Sequence, residues 1–93
     1  MAKVLRPGRQ AEELPVPTLS AAERIISAAD PHYMHLVEVV PIGRRRVLLV
    51  DEEGLLFKQP YNPAASEVAG CDIVGTAILM TRQEYAAGPG KST

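Results

Sequence analysis

Three consecutive arginines, Arg44, Arg45 and Arg46, follow Gly43 between two apolar runs. Guanidinium groups gathered at a turn suit phosphate oxygens or an acidic partner surface. Asp51, Glu52 and Glu53 come next, carboxylates of the kind that hold Mg²⁺ or Ca²⁺. Alternate residues of a strand point to opposite faces, however, and no second acidic cluster has matching spacing, so these read as a charged turn. His32 and His35 share a face only on a helix, which Pro31 disfavours, and no Cys-x-x-Cys or other ligand pair completes a zinc site. They read as surface or boundary histidines. Cys71 could pair with a histidine as a nucleophile, but between Gly70 and Asp72 it has no helix N-terminus to lower its pKa. It reads as a structural cysteine. A Gly-rich phosphate loop, a nucleophile elbow and a dinucleotide fingerprint are all missing from the sequence. The residues argue against an enzyme, and for no metal and no cofactor.

The elements that would position these groups are legible from pattern. Lys3–Leu5, closed by Pro7-Gly8, reads as a short edge strand, and Gln10–Pro17 as an extended linker. Ser20 and Glu23 have capping-box spacing, and Ala21, Ala22, Ile25, Ile26 and Ala29 form an apolar helical face ended by Asp30-Pro31. This predicts a helix over 21–29. Residues 34–42 and 46–50 form a β-hairpin turning at Gly43, with Pro41 at a strand end or facing an edge. Asp51–Gly54 is a second turn, and 55–58 a third strand. Asn62-Pro63 has the chemistry of a helix N-cap followed by proline at the first helical position, giving a short helix through Val68 closed by Gly70. Residues 73–80 predict a last strand, central or buried on both faces, with Gly75 marking a bulge or a close backbone approach. The simplest topology is a meander plus this C-terminal strand. The fold class is therefore α+β: a small antiparallel sheet of about four strands with one main and one short helix. The domain spans 1–85, and 86–93 reads as a disordered tail.

Length and composition bound the rest. A chain of 93 residues is one domain with a marginal core, for which a partner or a second copy matters. The formal net charge of −1 removes the global electrostatic case for nucleic acid. A single cysteine excludes an internal disulfide and fits a reducing cytoplasm. The start MAKVLRPGRQ has no apolar segment behind its basic residues, so it does not read as a signal peptide, and the apolar runs fall far short of a bilayer span. With no Trp, Phe57 and Tyr61 are the best anchors for an interface, because aromatic and arginine side chains dominate binding energy. The candidate partner-binding set is Arg44, Arg45, Arg46, Phe57 and Tyr61. The equally weighted alternative is that both aromatics merely cover a small core.

The string VEVVPIGRRRVLLVDEEGLL, then YNPAASEV, then DIVGTAILM, resembles a family of small uncharacterised proteins of bacteriophages and plasmids, common in phages of actinobacteria. The resemblance falls on Glu38-Val39-Val40, on Asp51–Gly54, on Asn62–Ala65 and on Asp72–Gly75. It implies an accessory protein of the host bacterial cytoplasm that binds and modulates or inhibits a host protein, such as a cell-growth scaffold, a replication factor or a defence protein. Host takeover, toxicity and exclusion of competing phages are the roles it implies. The alternative, of a different class, is a protein that sequesters a small ligand or nucleotide, for which a concave pocket lined by Arg and Tyr would speak.

Overall fold

Five strands form one antiparallel sheet in the order β2-β1-β5-β4-β3: β1 (Ala2–Leu5), β2 (Glu12–Leu14), β3 (Val37–Ile42), β4 (Arg46–Asp51) and β5 (Ala77–Thr81). Helices α1 (Leu19–Ile26), α2 (Pro63–Ala69) and α3 (Arg82–Ala87) accompany it, so the fold is a small α+β one. The computed structural model describes residues 1–28, 35–55 and 58–91. Among them no helix is long and apolar enough to cross a membrane.

Both faces of the sheet are covered. On one face Val4, Val47, Leu49, Ile78 and Met80 pack against Ala22 and Ile26 of α1, with Tyr85 of α3 beside them. On the other, Leu5, Leu48, Val50 and Ala77 pack with Ala65 of α2 and with Ile73. Val47 to Val50 are consequently all buried, which is why β4 reads as a continuous apolar run rather than an alternating one. Leu48 and Leu49 are completely buried, and truncating either to alanine should cost about 2–5 kcal/mol.

The β3–β4 hairpin has the predicted turn, with Gly43 at a φ of 60° that favours glycine. The Glu52 N–H donates to the Leu36 carbonyl at 2.9 Å, one step beyond the Val37–Asp51 pair. Antiparallel pairs alternate, so Glu38, Val40 and Ile42 direct their backbone groups at β4, whereas Val37, Val39 and Pro41 direct theirs outward. Pro41 thus faces an open edge, where its missing N–H removes no ladder bond.

Several expectations need correction. Residues 3–5 belong to an interior strand, because part of the expected linker, Glu12–Leu14, pairs outside it and takes the edge. The sheet therefore has five strands rather than about four. The cap of α1 is Thr18, whose hydroxyl accepts from the Ala21 N–H, and not Ser20; the helix ends at Ile26 with Ser27 as its C-cap. The expected stop at Asp30-Pro31, and Met34 of the expected hairpin, lie outside the described residues. Leu55 and Lys58 sit in turns, not in a third strand, and the intervening Leu56 and Phe57 are outside the described residues. The last strand starts at Ala77 rather than Ile73, because Gly75 takes a φ of 78° that breaks the extended chain. A third helix spans Arg82–Ala87, across the expected boundary at residue 85, and is followed by a turn with Pro89 buried.

The N-cap reading of Asn62 holds, and the residue does more than cap. Its Oδ1 accepts from the Ala65 N–H at 3.1 Å, opening α2, which Gly70 closes in a left-handed conformation. Its Nδ2 donates to the carbonyls of Leu5 and Gly75, both at 2.8 Å. Its own N–H donates to the Ile73 carbonyl at 2.9 Å. Replacing Asn62→Asp keeps the cap acceptor but turns an oxygen toward two buried carbonyls. The expected loss is roughly 3 kcal/mol, from the vanished donors and their stranded acceptors. A urea melt checks this, and a midpoint unchanged from wild type would remove Asn62 from its structural role.

Candidate functional site

The antiparallel register places the end of β5 beside the hairpin tip, since Thr81 pairs with Arg46. There α3 begins, and it clamps the tip in place. The Arg82 N–H donates to the Arg45 carbonyl at 2.8 Å, and the Arg82 guanidinium donates to the Gly43 carbonyl at 2.9 Å. The result is an open groove of about 410 Å³ lined by Arg44, Arg45, Thr81, Arg82 and Gln83. Among the described residues, none of Arg44, Arg45, Arg46 and Arg82 makes an ion pair. Three guanidinium groups around one concavity can receive a planar anion through paired N–H donors.

Glu84 is the carboxylate one turn into α3, and it is already committed. Thr81 and Glu84 form a reciprocal capping box, the Thr81 hydroxyl accepting from the Glu84 N–H at 3.0 Å and Glu84 Oε1 accepting from the Thr81 N–H at 2.8 Å. Glu84 Oε2 meets the Met1 ammonium at 2.7 Å. The ammonium first, and then the Thr81 N–H, hold the Glu84 carboxyl below its ordinary value.

Of the expected site residues, the structure gathers Arg44 and Arg45 at the groove, with Arg46 beside them on β4. Tyr61 is exposed but bridges Val74, before β5 begins, so the whole of β5 separates it from the tip at Thr81. Phe57 lies outside the described residues. Arg82 was missed. The signal for it was the Thr81-x-x-Glu84 spacing, a capping box that starts a helix immediately after an apolar strand.

The other reactive side chains fall elsewhere. His35 is fully buried, contrary to the surface reading. Its Nδ1–H donates to Asp51 Oδ2, and its backbone N–H donates to the Ser27 hydroxyl at 2.8 Å. Asp51 Oδ1 accepts from the Glu53 N–H at 2.8 Å. This pair therefore ties the end of α1 to the start of β3 and the end of β4, and it is closed to solvent. Cys71 is exposed, not structural, and borders a shallow acidic depression of about 260 Å³ with Glu38, Glu52 and Asp72. His32 is outside the described residues. Among those described, no group of three His, Cys, Asp or Glu side chains could hold a metal ion.

Comparison of the chain with family models, with curated proteins and with solved structures returned no match.

Two outcomes are expected. A carboxyl held low in the folded chain stabilises it above the ordinary glutamate range, and that contribution is lost as the pH falls through the lowered value. Urea melts should thus show wild type losing more stability than Glu84→Gln on acidification from neutral pH, since glutamine keeps the cap without titrating; parallel curves would refute this. Asp51→Ala takes the carboxylate partner from a buried imidazole and should cost about 3 kcal/mol in the same assay, whereas Glu52→Ala, exposed beside it, should be near neutral.

Proposed function

We propose that the protein is a non-enzymatic interaction protein that binds another protein through the arginine groove at the hairpin tip. The observation that carries this reading is the gathering of Arg44, Arg45 and Arg82, from two separate elements, around one groove, none of them in an ion pair among the described residues. A guanidinium held by structure rather than waving in solvent loses less entropy on binding, and arginine is a preferred anchor of protein interfaces. The resemblance to phage and plasmid accessory proteins supports a host bacterial protein as the partner and modulation or inhibition as the effect, in the bacterial cytoplasm. The small-ligand reading called for arginine and tyrosine in one concave site. The groove has the arginines, but no aromatic lines it among the described residues, so a nucleotide base would find nothing to stack on.

The test is capture from the natural host with a tagged copy, beside a copy carrying Arg44→Ala, Arg45→Ala and Arg46→Ala. A stoichiometric host protein retained by wild type should fall at least tenfold with the triple variant, whose thermal unfolding should match wild type because all three side chains are exposed. A purified protein that carries a nucleotide and captures no host protein would overturn the reading.

A further inference from the structure

The two edges of the sheet are unlike. On one side, β2 is three residues long and carries Glu12 and Glu13, the usual way to blunt an edge against pairing. On the other, β3 is six residues long, mostly valine and isoleucine, with Leu36 and Val39 exposed at 57% and 38%. The outward N–H groups of Val37 and Val39 and the outward carbonyls of Val37, Val39 and Pro41 meet no backbone partner among the described residues. An edge of this length, with a row of outward backbone groups, is a template for another strand.

We infer that a second copy of this chain occupies that edge, β3 pairing antiparallel with β3 about a two-fold axis through Val39, to make a continuous sheet across two molecules. The pattern of donors selects this register. Centred on Val39, each Val39 N–H reaches the Val39 carbonyl of the other copy, and each Val37 N–H reaches the Pro41 carbonyl. Pro41 then needs no N–H where it lacks one, opposite a Val37 carbonyl that is left to water. Moving the axis to Glu38 keeps as many bonds but sets Glu38 against Glu38 of the second copy at the closer pair spacing, which repels. Moving it to Val40 gives Val39 the Pro41 carbonyl and sends Val37 to that of Gly43, which lies beyond the strand in a turn at a φ of 60° and already accepts from Arg82.

The side chains agree with the same axis. Leu36, exposed at 57%, falls opposite Ile42 of the second copy, and Val39 meets itself. Antiparallel pairing also carries each arginine tip past the start of the neighbouring β3. There Glu52 donates its N–H to Leu36, and the Glu53 carboxylate lies 3.5 Å from the Leu36 N–H. Each basic tip is thereby brought to the end of the neighbouring sheet that carries its acidic turn, twice about the axis, as an isologous contact requires. A parallel arrangement would place tip against tip.

The test uses purified protein alone, so it stands apart from the partner-protein reading. In a Cys71→Ser background, Val39→Cys should cross-link to a disulfide dimer under mild oxidation, because facing residues of such a ladder have Cα atoms about 5.5 Å apart. Val37→Cys should not, because its symmetry mate lies roughly 13 Å away along the strands. Sedimentation should show wild type at twice its 10.0 kDa mass and Val39→Lys shifted to monomer by at least tenfold in dissociation constant. Glu52→Arg should weaken the dimer, and adding Arg44→Glu should restore it. A wild-type monomer at hundreds of micromolar, equal cross-linking at positions 37 and 39, or a failed charge swap would overturn the inference. Val39→Lys that still captures a host protein would leave the partner reading intact while the dimer is absent.

Discussion

The structure hangs on one side chain that holds three pieces of backbone at once. Asn62 is fully buried, and every hydrogen-bonding atom of its amide is used, on the first turn of α2, on the end of β1 and on Gly75 just before β5. Those segments are far apart in sequence. A hydrophobic residue could fill the same volume, but it would leave two carbonyls and a helix N–H without partners in a dry site. The Asn62 amide thereby fixes where α2 lies on its face of the sheet, and so which residues that face can bury.

The second pin is the His35–Asp51 pair at the other end of the β3–β4 hairpin. Together with the Arg82 bonds to the turn, it anchors the hairpin at both extremities. The tip arginines are thus presented from a braced element rather than from a loose loop. That matters for binding, because order already present in the free protein need not be created in the complex.

How much of this was legible in the sequence follows from the range of each interaction. The β3–β4 hairpin, its glycine turn and the Asn62-Pro63 cap are set by neighbours within a few residues, and they were readable. The outward face of Pro41 was readable too, since a residue without an N–H has few places in a sheet. Three-residue β2 was not, because Glu12-Glu13-Leu14 has no strand signal of its own; β1 beside it makes it a strand. His35 looked like a surface residue for a similar reason, as its partner Asp51 lies sixteen positions away and nothing local announces the pair. Arg82 joins the groove only through the register of β5 against β4, a long-range fact. The groove was therefore half visible: its hairpin side from composition, its helical side only from the fold.

The strand order has a consequence for how the protein is made. The central strand β5 follows the other four in the chain, yet it is what joins the β1–β2 hairpin to the β3–β4 hairpin. On a ribosome, both hairpins emerge with apolar strands whose inner edges have no neighbour until residues 77–81 clear the exit tunnel. A chain cut short before that point is two unjoined halves, not a smaller domain, and quality-control proteases would meet raw strand edges on each. The sheet is thus closed from the middle, by five residues that lie between the two hairpins.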